Sequence, residues 1–473
     1  MPKLTVIDKY GKQEIAFEGE KLLSELLQKN SVNVPHPCGG RGSCKKCSVI
    51  IDGREELSCR YILNKDTVVK VPDDSEIFSS VGARETGRVG KNMCLCLDIG
   101  TTTLALALVS PDSGDIVKTL TAANPQRAFG ADVISRIDYC AQNGVAELQK
   151  AVISAVNVLT EKLLGEFGLS DIQEMYVAGN TTMLHILFGV DCSSIGVSPY
   201  TPTFLESKKV KAETIGVNRV HTVVSLPNIS SFVGADIAAG INYVGFPCEE
   251  GKYNLLIDLG TNAEIALFYR KKILCTAAAA GPCFEGANIE CGMTATEGAV
   301  CSYSADGGFN TIGGAEAKGI CATGLVDIIA ELVRQEIIDE SGYMEGDFNL
   351  TEKVRLTPKD VREFQLAKSA VMSAIECLAD FAGITFDNIE KLYVAGGFSS
   401  KLNVENAAYA GLIPKELCDK FRPINNSSLL GTVKYAYEKS NMEVFIDKVE
   451  YVDISSSVRF SELFMENMEF YIA

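Results

Sequence analysis

Four cysteines, Cys38, Cys44, Cys47 and Cys59, fall within 22 residues in the run CGGRGSCKKCSVIIDGREELSC. Thiolates in that number can hold a [2Fe–2S] cluster or a zinc ion. The first gap, of five residues, does not suit the Cys-x-x-Cys knuckles of a structural zinc site, so the cluster is the expectation. Gly39, Gly40 and Gly42 let the loop wrap a cluster and aim N–H groups at its sulfurs. The twelve other cysteines show no such grouping and read as small buried hydrophobes. A second chemistry occurs twice downstream, in Asp98-Ile99-Gly100-Thr101-Thr102-Thr103 and Asp258-Leu259-Gly260-Thr261-Asn262. A Gly-Thr turn between strands offers backbone N–H groups and hydroxyls to phosphate oxygens. Two such loops face to face would clamp the β- and γ-phosphates of ATP. Asp98 and Asp258 would hold Mg²⁺, directly or through water, and orient the attacking water.

The elements that must position these residues are readable. Residues 3–8 and 13–18 alternate as short strands joined at Tyr10-Gly11, and 20–29 carries leucines at helical spacing. The cysteine loop follows, then strands at 47–51 and 67–71 with a turn at Asp52-Gly53. That order is a β-grasp ferredoxin-like domain over residues 1–72. Residues 73–92 are polar and read as a linker, reaching on the order of 25 Å if flexible. In the remainder, each Asp-x-Gly-Thr strand has a later echo, MYVAGN at 175–180 and LYVAGG at 392–397, with amphipathic helices at 145–166 and 361–381 between. Residues 93–473 therefore read as a duplicated α/β fold, with halves of about 93–250 and 251–473. Gly396 and Gly397 end a strand without side chains, room for an adenosine to lie on the backbone. Gly319–Gly324, before a helix, is a second candidate for nucleotide contact, with Gly324 its closing glycine.

Composition sets bounds. Apolar residues make up 47% and charged residues 22%, the values of a water-soluble globular chain. No run approaches the ~18 apolar residues of a membrane span, and the start lacks an apolar signal segment. A cytoplasmic, reducing location fits sixteen cysteines better than a disulfide scaffold. The net charge of −17 divides into +3 over residues 1–72 and −20 beyond. An acidic large domain excludes a nucleic-acid partner. Arg41, Lys45 and Lys46 in the cysteine loop are either solvated or a docking face for an acidic surface.

The cysteine spacing resembles vertebrate-type [2Fe–2S] ferredoxin loops. The paired phosphate loops and the glycine pair resemble the motifs of the actin, sugar kinase and chaperone ATPase superfamily, over roughly residues 94–440. More narrowly, VAGNTTMLHILFGVD (177–191), LPNISSFVGADIAAG (226–240), LLIDLGTNAEI (255–265), AAGPCFEGANIECGM (279–293) and GICATGLVD (319–327) resemble the ATP-dependent reductive activators of corrinoid proteins. That resemblance implies return of Co(II) corrinoid to Co(I) in a methyltransferase system. It also implies a corrinoid protein as partner, a reductase or ferredoxin as electron donor, and a homodimer as the assembly. Longer members place a further linker and a middle domain before the ATPase, whereas about 20 residues separate the two parts here. The competing readings are a small-molecule kinase with a redox-sensing domain, for which Asp132 or Asp236 could be the base, and an ATP-switched redox scaffold. Both aspartates also suit the start of a helix.

Overall fold

In the computed structural model, the structure is described for all residues except 9–10, 31, 33, 35–46, 72–84, 91, 131, 248, 261, 271, 440–441, 443–447 and 471–473. Cys38, Cys44, the basic residues of their loop, most of the linker and Thr261 lie outside the described residues.

The N-terminal part is a five-stranded mixed sheet in the order Gly11–Ala16, Lys3–Asp8, Thr67–Lys70, Ser48–Ile51, Arg54–Leu57. Lys3–Asp8 runs parallel to Thr67–Lys70, and the other neighbours are antiparallel. The turn at Asp52-Gly53 has positive φ at both residues, as a two-residue hairpin requires, and it pairs Ile51 with Arg54. The helix Leu23–Lys29 buries Leu23 and Leu27 in a small core with Leu4, Val6, Val49 and Val69. It starts three residues later than leucine spacing alone predicts, because Lys21–Leu22 pairs with Ile62–Leu63.

Beyond it, two six-stranded sheets carry the duplication. The first runs Asp115–Ala123, Thr103–Ser110, Cys94–Ile99, Ile172–Gly179, Val220–Ser225, Lys209–Lys211. The second runs Phe421–Pro423, Ile389–Ala395, Tyr253–Leu259, Ala263–Tyr269, Lys272–Ala278, Val449–Tyr451. In each, an antiparallel meander of three strands opens the half, and its first strand then takes a parallel neighbour, the echo strand. Ala178 lies beside Asp98 and Ala395 beside Asp258, so the two halves superpose in register. The last strand, Val449–Tyr451, and the helix Val458–Glu466 extend the second half past the repeat. Lys368, fully buried, ties that extension down by donating to the carbonyls of Asn467 (2.6 Å) and Glu469 (2.5 Å).

Between the sheets lie two helices, Ala235–Val244 from the first half and Ser427–Glu438 from the second. Ser427–Glu438 packs on Cys94–Ile99 and Ile172–Gly179, so each half contributes to the other's core. A Cβ on Gly431 would sit 1.9 Å from the carbonyl oxygen of Ala239, so the helices cross with backbones in contact. Asn242 donates to Gly431 O (3.2 Å) and Lys434 to Asn242 O (2.8 Å).

Contacts from the small part and from the linker reach the large part. Gln28 Nε2 donates to Ala128 O (3.2 Å). At the far end of the linker expected from the sequence, residues 86–87 hydrogen-bond along the edge strand Asp115–Ala123, and Glu85 pairs with Lys118 at 3.8 Å. The open edge strand has unpaired groups that capture the chain, which composition alone does not reveal.

Gly431→Ala should force the crossing helices apart and cost about 1–3 kcal/mol of stability. Thermal melting followed by circular dichroism measures it, and an unchanged midpoint would mean that the crossing is not tightly packed.

Candidate nucleotide cleft and cluster site

Both phosphate loops close as tight turns. Gly100 N donates to Thr103 O at 2.9 Å, and Gly260 N to Asn262 O at 3.1 Å. A Cβ on Gly100 would lie 2.8 Å from Thr103 O, so only glycine fits. The loops are not identical. The first leaves four residues between the paired Ile99 and Leu104, the second three between Leu259 and Ala263. Asp258 is therefore paired across the hairpin with Glu264, whereas Asp98 is paired with Ala105.

The echo glycines press against these loops. A Cβ on Gly179 would lie 2.8 Å from Ile99 O, and one on Gly396 2.8 Å from Leu259 O. Gly396 also has φ +110°, which side-chain-bearing residues rarely adopt. Gly397 is exposed, with open space where a Cβ would stand. Gly324 has a different reason to be glycine. It is buried in the first turn of the helix Ala322–Arg334, where a Cβ would meet Val300 O at 2.1 Å.

Contacts between the halves converge here. Asp98 accepts from Asn426 Nδ2 and Ser428 Oγ, both at 2.7 Å, at the start of the helix Ser427–Glu438. Asn180, which caps the helix Thr181–Leu187, donates to Glu264 Oε1 at 3.4 Å. Thr102 Oγ1 donates to Glu285 Oε2 at 2.8 Å. Behind the first loop, Asn124 Nδ2 donates to Gly100 O (2.8 Å), Asn124 N to Thr102 O (2.8 Å), and Arg136 Nη2 to Thr101 O (2.6 Å).

Asp98, Asp236, Asp258 and Glu264 form an acidic group. Burial pushes all four carboxyls above their ordinary range, Asp236 and Asp258 to about 7. Repulsion among them adds to the rise for Asp236, Asp258 and Glu264, while Asn426 and Ser428 hold Asp98 back. Among the described residues no three His, Cys, Asp or Glu are close enough to ligate one ion directly. Asp132 has a simpler role: it accepts from Ser135 N (2.7 Å) in a capping box for Val133–Asn143. Asp236 bonds Ile237 N in the first turn of its helix and also faces the acidic group.

In the small part, Cys47 and Cys59 are buried with sulfurs 3.2 Å apart, and Ser58 N donates to Cys47 O (2.9 Å). Two thiols brought together from separate strand ends fit a shared metal cluster.

Sequence reasoning did not single out Glu264, Glu285 or Arg136. Glu264 could have been found by aligning the two loops with a one-residue gap. Glu285 and Arg136 had no motif of their own, although Glu285 falls within the quoted run at 279–293.

Comparisons agree with this layout. Residues 6–71 match the 2Fe-2S iron-sulfur cluster binding domain, 93–249 the RACo middle region, and 252–472 the C-terminal domain of RACo, the ASKHA domain. The corrinoid activation enzyme RamQ of Eubacterium limosum is 30% identical over 418 residues, 80% of this chain and 70% of that protein. The Co(II) methylated amine-specific corrinoid protein reductase of Methanosarcina barkeri is 24% identical over 413 residues, 79% of this chain and 74% of that one. A solved structure described as a reductive activator for corrinoid, iron-sulfur protein has 26% identity and a TM-score of 0.73, covering 99% of this chain and 98% of its own. One expectation is corrected. The middle region is present, at residues 93–249, and coincides with what the sequence suggested was the first ATPase half.

The raised carboxyls set a sign for pH dependence. Asp258 takes up a proton near 7 when folded and near 3.8 otherwise, so its favourable contribution is full below about 4 and lost as pH rises through about 7. In a chelator and without nucleotide, Asp258→Asn should gain stability relative to the unaltered protein as pH rises from 5 to 8. Melting curves across that range test it, and a constant gap would show that Asp258 is not strained by its neighbours.

Proposed function

The chain belongs to the family of ATP-dependent reductive activators of corrinoid proteins, and from that membership we infer that it couples ATP binding and hydrolysis to the reduction of a Co(II) corrinoid to Co(I). The observation that carries this reading is the union in one chain of a buried cysteine pair and two Asp-x-Gly turns whose surroundings tie the two halves together. An iron–sulfur cluster and ATP are its cofactors. The [2Fe–2S] type, held by Cys38, Cys44, Cys47 and Cys59, and Mg²⁺ are part of the proposal. When bound, the cluster supplies one electron at a time, the count that Co(II) to Co(I) requires.

The residues divide the work on ATP. Backbone N–H groups of the Gly100–Thr103 and Gly260–Asn262 loops, with the hydroxyls of Thr101, Thr102 and Thr261, receive the phosphates. Asp98 and Asp258 would hold Mg²⁺, directly or through water, and orient the attacking water, and Glu264 and Asp236 add negative charge that a bound cation would offset. Gly396 and Gly397 leave room for adenosine. Phosphate at Thr102 would replace Glu285 as the hydroxyl's acceptor, so filling the cleft loosens one tie between the halves. Closure around the nucleotide would then move the surfaces that meet the corrinoid protein. A reductase or ferredoxin reloads the carrier, and a homodimer in the cytoplasm is the proposed setting.

The test follows phosphate release and the cobalt spectrum together, with a Co(II) corrinoid protein and a low-potential reductant. Co(I) should form only with ATP. Asp98→Ala and Asp258→Ala should each cut hydrolysis about 100-fold or more and leave the cluster's absorption unchanged. Cys59→Ser should lose iron and keep ATP binding. Cobalt reduction that ignores ATP would overturn the reading, and phosphorylation of a small molecule would favour the kinase.

A further inference from the structure

One cation beside the cleft has no part in that scheme. Arg136, in the first turn of Val133–Asn143, is fully buried. Its Nε donates to Gly130 O (3.0 Å), its Nη1 to Gln126 Oε1 (3.4 Å) and Met183 Sδ (3.2 Å), and its Nη2 to Thr101 O (2.6 Å). All these partners are neutral. Among the described residues no carboxylate forms an ion pair with it, and Asp132 and Glu285 act on it only at longer range. Burial pushes the guanidinium down to about 9, the signature of a charge short of its counter-charge.

The partners explain what such a charge would do. The carbonyls of Gly100, Thr101 and Thr102 are all tied on the buried side, by Asn124 and Arg136. A trans peptide points its N–H opposite to its carbonyl. Fixing the Gly100 and Thr101 carbonyls inward therefore turns the N–H groups of Thr101 and Thr102 toward the cleft, a concavity that suits an anion.

We propose that Arg136 is a positioning residue for the nucleotide's phosphates: from behind the first loop it fixes the Thr101 peptide so that the loop's N–H groups face the cleft, and the bound polyphosphate supplies its missing counter-charge. The proposal rests on the ATP reading of the cleft. The experiment is isothermal titration of the full chain, cluster intact, with ATP, ADP and adenosine, for the unaltered protein, Arg136→Met and Arg136→Lys. Arg136→Met should weaken ATP and ADP by about tenfold or more and leave adenosine unchanged, since adenosine meets the Gly396–Gly397 side. Arg136→Lys, which keeps the charge but not the fork, should fall between. A folded Arg136→Met with unchanged ATP affinity would overturn the proposal, and so would equal losses for ATP and adenosine, the mark of a merely structural residue. Should Arg136→Met not fold, the same comparison on Arg136→Lys decides. An unaltered chain that fails to bind ATP would overturn the nucleotide reading, and the role of Arg136 with it.

Discussion

Asp98 lies at the end of a first-half strand, yet the groups that satisfy it come from the second half. A buried carboxylate is costly unless hydrogen-bonded, and its bonds to Asn426 and Ser428 are charge-assisted. They also place it at the positive end of the helix Ser427–Glu438. The helix cannot withdraw without stranding the carboxylate, and the first phosphate loop follows directly on that carboxylate. The close crossing at Gly431 and Ala239 keeps the same helix against its counterpart from the first half. The geometry of the cleft and the seating of the two halves are thus one constraint.

The brace behind the first loop extends that constraint toward the small domain. Asn124 and Gln126 belong to the turn at 124–128, and Ala128 in that turn accepts the bond from Gln28 on the ferredoxin-like helix. A single part-buried bond is worth little, on the order of 1 kcal/mol. It can break and re-form as the domain moves, and it touches the ATPase where the phosphate loop is held.

Much of this was legible in the chain. The Asp-x-Gly-Thr repeats and their Val-Ala-Gly echoes gave the duplication, because the strand order in each half follows from parallel pairing of loop strand and echo. Cys47 and Cys59 lie together although a hairpin separates them in the chain. What escaped was mostly long-range. Glu264 reaches the acidic group only because the second hairpin is one residue tighter, a register effect that leaves no composition signal. Arg136 gains its place from the fold, 35 residues from its partner Thr101. Gly324 stood out as a nucleotide contact, but the demand for glycine there comes from helix-on-strand packing. The middle region is not legible as a separate insertion because, once folded, it is half of the duplicated frame.

The unequal hairpins have a consequence for how a nucleotide can enter. A duplicated frame alone would offer ATP two mirror-like orientations, end for end. The shorter second turn brings Glu264 up beside Asp258, while the longer first turn stands over the buried guanidinium of Arg136. Each half contributes two of the four clustered carboxylates, Asp98 and Asp236 from the first and Asp258 and Glu264 from the second, but only the first loop is backed by a buried positive charge. That lopsided field gives the cavity a polarity, which an internally duplicated protein needs before it can bind a molecule with a head and a tail.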